Sequence, residues 1–297
     1  MSKFNFDYIV YHTRGKTPCP DGIASAWVCN KYNPNAKLIG MTYGDDLPTL
    51  PSNCGVICVD FSFTSMQLIE LYKRNIKVII IDHHISAFEE LTKGQLSKIE
   101  QYIDDKKEYF YRYDINECGA SLTWQTLFPD EVMPPFLKYI KDRDLWRHEL
   151  PKTEEMHEAV GILGRNFGNF DYLATLSEEQ LIKTIAPIGD YNIAVKNEKI
   201  AKICDPKWII TETIDSYEVI GVIVKPFQSR WTSDIAMYLY KKYPEYPFVF
   251  IKTIEGQNAK YSLRSSRVSG IDVTAIAEKY GGGGHKNAAG FSKPIDV

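Results

Sequence analysis

The residues of this chain best equipped for chemistry stand at the ends of strand-like runs. His12 follows YIVY (8–11), and the segment HTRGKTPCPDG runs on through Cys19 and Asp21 to Gly22. Asp60 closes VICVD (56–60), and Asp82, His83 and His84 close KVIIIDHH (77–84). In an open α/β sheet the loops at the carboxyl ends of the strands line one crevice, so residues far apart in sequence meet there. Histidine and carboxylate together suit a first-row divalent ion such as Mn²⁺, Fe²⁺ or Zn²⁺. Taken singly, each residue has a structural alternative. Asp60 can cap a helix that starts near Ser65, and His83 can be a hydrogen-bonded core histidine. Their joint occurrence at three strand ends points to a metal site.

The first segment also contains Gly15-Lys16-Thr17, the end of a phosphate-binding loop. That motif needs a further glycine at position 10, where this chain has Val10, and a direct run into a helix. Pro18 and Pro20 intervene. Residues without an N–H serve poorly in a loop that binds anions through backbone donors. The phosphate-loop reading is set aside.

Bringing the strand ends together requires a parallel sheet. Four β-branched runs, YIVY, KLIGMTY (37–43), VICVDF (56–61) and KVIIID (77–82), alternate with helical spacing in 21–32 and 63–74. That alternation is the signature of βαβ units. From about 119 to 205 the pattern is mostly helical, and the charged stretch 178–203 reads as a connector. A second α/β pattern follows, with strand-like 208–214, 217–224, 247–254 and 260–266, and helical 232–243 and 273–280. The expected fold is α/β: an N-terminal parallel-sheet domain (1–185), a helical connector (186–205) and a smaller C-terminal α/β domain (206–297), with a cleft between the domains.

The 297 residues are 44% hydrophobic and 25% charged, with net charge −3. An acidic balance argues against a stable complex with long nucleic acid but leaves room for a small anionic ligand. There is no apolar run of ~18 residues to span a membrane, and MSKFNFDYIV is too short and polar for a signal peptide. Six cysteines without a C-x-x-C pair read as reduced thiols, and the expected location is cytoplasmic.

Two blocks, IIIDHHIS (79–86) and GGGGHKNAAGF (281–291), resemble the DHH-family phosphoesterases that carry the DHH-associated C-terminal domain. The resemblance covers nearly the whole chain, as four blocks in order. It implies an enzyme of the phosphodiesterase or exonuclease type that uses two divalent ions, Mn²⁺ first, with Zn²⁺, Fe²⁺ or Mg²⁺ as alternatives. The substrate class implied is a short oligonucleotide or small nucleotide. The alternatives are a polyphosphate, a single strand cut from its end, or a phosphate-rich ligand bound without cutting. The protomer is expected as a monomer or homodimer.

The resemblance also assigns residues. His12, Cys19, Asp21, Asp60, His83 and Asp142 are the implied metal ligands, with Asp60 bridging and Asp144 the alternative to Asp142. His84 is implied to lie near substrate phosphate, and Asp82 to orient a histidine or the backbone. The family's first block has a shorter loop and an aspartate where this chain has Cys19. A thiolate there favours softer ions, whereas a neutral thiol leaves that site weak.

The glycine block has two readings. Gly281 to Gly284 can be a helix C-cap and linker. Four glycines before His285 can also let a backbone approach a ligand closely, with exposed N–H groups forming an anion nest. With the resemblance added, Arg264, Ser265, Gly282, Gly283, Gly284 and His285 are the expected substrate contacts. Ser266 and Asn287 are further candidates. Arg264 alternatively makes a surface ion pair. Arg14 and Lys16 can meet phosphate or remain solvated. Tyr43, Trp146 and Trp231 can stack on a base, core packing being their ordinary role.

Overall fold

The computed structural model describes residues 4–15, 17–85, 87, 89, 110–266 and 269–295. Lys16 lies outside the described residues. The chain divides into two compact units, Met1–Asn192 and Ile193–Val297.

The first unit is built on a parallel sheet. Its strands are β1 (Tyr8–Arg14), β3 (Lys37–Met41), β4 (Gly55–Val59), β5 (Lys77–Asp82) and β6 (Phe110–Tyr113). They lie side by side in the order β3-β1-β4-β5-β6, every pair parallel. A short β2 (Thr17–Pro18) folds back antiparallel on the end of β1. Helix α1 (Pro20–Tyr32) connects β1 to β3, and α2 (Ser65–Lys73) connects β4 to β5. The chain leaves β1 towards β3 and returns to β4 on its other side. The β1/β4 boundary is therefore a topological switch point, where loops from neighbouring strands part and open a crevice.

Alternate residues of the central strands serve opposite faces. Ile9, Ile57, Val59, Ile79 and Ile81 join a core with Trp27, Trp124, Phe136 and Phe170. Val10, Val56, Cys58, Val78 and Ile80 join another with Leu68, Leu71 and Tyr72 of α2. A sheet buried on both sides needs near-continuous apolar strands, and all five residues of β4 are buried. The first of these cores is completed by α3 (Gly119–Leu127), α4 (Pro135–Asp144), α5 (Thr153–Leu163) and α6 (Phe167–Ala174). A short α7 (Glu178–Gln180) passes through one π-helical turn, Leu181–Ile185, into α8 (Ala186–Ile203). The division between the units falls within α8.

The second unit holds a mixed sheet of β7 (Ile209–Ile214), β8 (Tyr217–Val224), β9 (Val249–Glu255), β10 (Asn258–Arg264), β11 (Gly283–His285) and β12 (Ala288–Pro294), in the order β11-β12-β10-β9-β8-β7. Only β8 and β9 pair in parallel; the other pairs are antiparallel. Helix α9 (Thr232–Lys242) covers one face through Ile235 and Leu239, against Val222, Val249 and Ile251. Helix α10 (Val273–Glu278) covers the other, with Val273 and Ile276 against Phe250, Leu263 and Phe291. All six cysteines are free and buried. No helix among the described residues is long and apolar enough to cross a membrane.

Candidate metal centre

The switch point gathers the expected chemistry. His12 lies near the end of β1, Asp60 just past β4, and Asp82 ends β5, with His83 and His84 following. Asp60 has φ +53°, a left-handed conformation that aspartate tolerates better than most residues and that recurs where a site dictates backbone geometry. It does not cap α2, which is capped by Thr64 in a reciprocal pairing with Gln67.

Asp60 is buried and faces three histidines. Its Oδ1 lies 3.1 Å from His83 Nε2 and 3.9 Å from His84 Nδ1, and its Oδ2 is 3.5 Å from His12 Nδ1. His83 Nε2 also lies 3.6 Å from Asp21 Oδ2 and 3.5 Å from Asp144 Oδ2. One ring nitrogen thus faces three carboxylates.

Asp21 is anchored from a distant part of the chain. The backbone N–H groups of Gly119 and Ala120, at the start of α3, donate to its two oxygens at 2.6 and 2.8 Å. The positive end of the helix dipole favours this carboxylate. Glycines let the site close. A Cβ on Gly22 would lie 2.3 Å from the His12 carbonyl oxygen, and one on Gly119 would lie 2.6 Å from Asp60 Cβ.

Asp82 serves the neighbouring residues. Its Oδ1 accepts from the His83 N–H at 2.7 Å and pairs with His84 Nδ1 at 2.8 Å, while Ser62 donates to Oδ2 at 2.6 Å. This fixes the ring of His84 and the turn that carries both histidines.

The electrostatics express the crowding. Burial, then the charges of Asp60 and Asp144, push Asp21 well above the usual carboxylate range. Burial and then Asp60 raise Asp144. Burial also opposes the charge on Asp60, but contacts with the rings of His12 and His83 outweigh it and hold Asp60 below the ordinary value. For His83 burial favours the neutral ring, yet the Asp60 contact, Asp21 and Asp144 raise its pKa to about 9. His84 is raised too, its bond to Asp82 outweighing burial. Burial, then Asp60, pushes the Cys19 thiol to about 12.

A cation answers these features together. Two donor sets, His12–Cys19–Asp60 and Asp21–His83–Asp144, each bring one ligand atom per residue within 4.8 Å of the others. A further set comprises Asp60, Asp82, His83 and His84, but Asp82 is engaged as described. His12 Nδ1 and Asp60 Oδ2 are buried with no hydrogen-bond partner among the described residues. Buried polar atoms are seldom left so unless something else completes them. The nitrogen, oxygen and sulfur donors suit a first-row divalent ion. The residues fit the group.

Asp142 corrects an expectation. Its carboxylate accepts from the N–H groups of Glu149 and Leu150 and from the Thr153 hydroxyl, so it closes the turn after α4. Asp144, two residues on, is the member of α4 that reaches His83. The stripe Phe136, Ile140, Arg143, Asp144 lines one cavity, and this helical spacing was the available signal.

In the second unit, register places Arg264, Ala288 and His285 in one row across β10, β12 and β11. Cross-strand partners share a face. Arg264 and Gly283 line one shallow hollow with Lys260, Ser262 and Ser292. Arg264 Nη1 donates to the carbonyl of Leu263, the Tyr240 hydroxyl donates to the Arg264 carbonyl, and no ion pair of Arg264 occurs among the described residues. His285 is exposed.

Comparison with known proteins places this geometry. A DHHA1 domain model matches residues 220–296. The fold resembles a pGpG-specific phosphodiesterase from Vibrio cholerae, with TM-score 0.56 at 13% identity, over 97% of this chain and 94% of that one. It also resembles the DHH domain of a protein described as a member of the s1p family of ribosomal proteins, with TM-score 0.51 at 15% identity, over 97% of this chain and 83% of that one. This chain shares the fold of these two proteins, and its residues 220–296 match a DHHA1 domain. An uncharacterized protein of Acanthamoeba polyphaga mimivirus, R106, is 25% identical over 312 residues, spanning 98% of this chain and 68% of the relative.

Within the DHHA1 domain three expected substrate contacts have other employment. A Cβ on Gly282 would meet the Gly290 carbonyl oxygen at 2.1 Å, and one on Gly284 would meet Ala289 Cα at 2.5 Å. These glycines admit β12 rather than a ligand. Ser265 donates to the Ile271 carbonyl and accepts from Asn287 Nδ2, which also reaches the Ser266 carbonyl. Ser265 and Asn287 hold the loop after β10. Gly283, where a Cβ would meet nothing, is the open one of the three expected glycine contacts. Among the aromatics, Tyr43 and Trp146 are 47% and 63% exposed, so neither is a core residue. Tyr43 packs beside His12 and His84, whereas Trp231 joins the α9 core.

Proposed function

We propose that the protein is a divalent-metal-dependent phosphoesterase that hydrolyses phosphodiester bonds in short oligonucleotides or small phosphate-rich nucleotides. The observation that carries this reading is the buried Asp60 carboxylate, which belongs to the His12–Cys19–Asp60 donor set and lies 3.1 Å from His83 of the Asp21–His83–Asp144 set. What is said of the Vibrio cholerae neighbour by name, action on pGpG, agrees with this substrate class.

His12, Cys19 and Asp60 would hold one ion; Asp21, Asp60, His83 and Asp144 would hold the other. Such a pair supplies an activated water and offsets charge on the attacking and leaving oxygens. The chain's own residues do the remainder. Asp60 fixes the separation of the two donor sets. The amides of Gly119 and Ala120 keep Asp21 in place without side-chain adjustment. His84, held by Asp82 and partly exposed, presents Nε2 as a donor for a non-bridging phosphate oxygen. Arg264 and His285 of the DHHA1 domain would hold another part of the substrate, since a guanidinium fork matches phosphate oxygens.

A second reading, binding without cleavage, draws on Cys19, because a thiol with a pKa of about 12 is neutral unless an ion displaces its proton. Assay of folded protein with Mn²⁺, Zn²⁺, Fe²⁺ or Mg²⁺ against bis-p-nitrophenyl phosphate, two-to-five-residue oligonucleotides and polyphosphate separates the readings. Turnover with two bound ions per chain is expected. Absence of turnover with every ion, with one ion or none retained, favours the binder. Preferred cleavage of polyphosphate would replace the substrate class.

A further inference from the structure

A cavity of about 390 Å³ opens from the metal centre within the first unit, bordered by Asp21 and Asp144 at one side. That volume is at the lower end for ligand pockets. Its other walls carry three guanidinium groups, those of Arg14, Arg143 and Arg165, with Tyr139 and Trp146. Arg143 is already occupied, since it pairs with Glu154 at 2.9 Å and lies over the Trp146 ring at 4.0 Å. Arg14 and Arg165 make no ion pair or side-chain hydrogen bond among the described residues. Arg165 Nε is buried without a partner.

Arg14 is exposed and Arg165 half-buried; neither makes an ion pair among the described residues, although Asp144 and Glu158 act on them at longer range. Backbone elements hold both beside the pocket. Arg14 stands at the tip of the β1–β2 hairpin, paired with Thr17, where Gly15 turns the chain at φ +60° and its N–H donates to Thr42 Oγ1. Arg165 follows the glycine that ends α5, Gly164 at φ +96°. Among the described residues, the carboxylates that line the cavity, Asp21 and Asp144, are the ones turned to His83. The remaining charge is positive and calls for an anion.

We propose that Arg14 and Arg165 bind a second phosphate of the substrate, next to the one that is cut, and so set a preference for substrates with consecutive phosphates. Arg165, half-buried with its Nε enclosed, offers a fork; Arg14 stands at the exposed tip beside it. Burial lowers the pKa of Arg165, outweighing the opposite effect of Cys19 and Glu158, and the Arg14 charge adds to the lowering; an oxyanion between the two arginines would offset both effects. This inference rests on the phosphoesterase reading for its substrate, but its binding arm does not need turnover.

The test compares the 5′-phosphorylated dinucleotide pApA with ApA. The wild type should prefer pApA in kcat/KM, and Arg165→Met and Arg14→Met should each lower the pApA/ApA ratio at least tenfold, mainly through KM. Arg14 lies on an exposed hairpin tip, so its variant tests the idea even if Arg165→Met folds poorly. An unchanged ratio in Arg14→Met and in folded Arg165→Met, or no preference in the wild type, would overturn the proposal. If the wild type cuts neither compound, the phosphoesterase reading fails alone. Calorimetric binding of pApA then decides: at least tenfold weaker binding in the variants supports the subsite, and equal affinity removes it.

Discussion

At the scale of single residues, two aspartates on α4, two positions apart, do opposite work. Asp142 accepts three hydrogen bonds that close a turn, and Asp144 faces His83. Asp142→Ala should strand those donors at about 1–3 kcal/mol, lowering the melting temperature by several degrees while metal content stays near that of the wild type. Asp144→Ala should melt near the metal-free wild type, because it removes a carboxylate from a crowd, yet lose one ion and turnover. Calorimetry and metal analysis of the two variants check this; metal loss in Asp142→Ala alone would reverse the assignment. The sequence shows His12, Asp60, His83 and His84 as strand-end residues, and the structure brings them together. It does not separate Asp142 from Asp144 when they are read as the first acid after an apolar run. The separation appears only when helical phase is followed from Phe136 to Ile140 and Asp144. The anchoring of Asp21 by Gly119 and Ala120 lay beyond any local pattern, because the partners are about a hundred residues apart.

At the scale of elements, the glycine block shows how close packing can imitate a ligand motif. Gly282→Ala should disrupt the β11–β12 hairpin, since its Cβ would enter the Gly290 carbonyl, whereas Gly283→Ala should leave the DHHA1 domain's stability unchanged and weaken substrate binding. Unfolding curves and KM for the two variants distinguish these outcomes. A second element-level contact ties α4 to the segment before α3. Lys141 Nζ and Ser121 Oγ each donate to Glu117 at 2.6 Å. Burial acts to raise the Glu117 pKa, but these bonds outweigh it and leave it below its ordinary 4.5. A depressed carboxylate contributes stability above its unfolded pKa and loses it as pH falls through the folded value. Stability of the wild type should therefore fall more steeply below about pH 4.5 than that of Glu117→Gln, by thermal melts in acid buffers. The long β-branched runs and amphipathic helices of the parallel sheet were legible because period and length agree. Strands β2, β6 and β12 were not. They are short or built from small residues, and they exist because a neighbour offers an edge.

At the scale of the molecule, the parallel order β3-β1-β4-β5-β6 explains why so much of the candidate site was readable before its geometry was known. A switch point collects strand ends, so the functional residues fall where hydrophobic runs stop. The cavity at α4 and α5 was not readable, because Arg14 and Arg165 belong to a hairpin tip and a helix exit with no shared period. The six donors, at positions 12, 19, 21, 60, 83 and 144, come from four stretches of the chain, and Asp21 is itself fastened to α3. An ion held by them would act as a non-covalent cross-link across most of the first unit, closing loops that the unfolded chain leaves open. An ion bound only by the native state stabilises it by mass action, about 2.7 kcal/mol at a hundredfold excess over Kd. Chelation should thus lower the first unit's unfolding midpoint and leave that of the DHHA1 domain unmoved, as differential scanning calorimetry with and without EDTA would register. The same cross-link makes ion capture a reporter of assembly: a chain truncated before α3 should keep most of its donors and still fail to retain the ion that Asp21 serves.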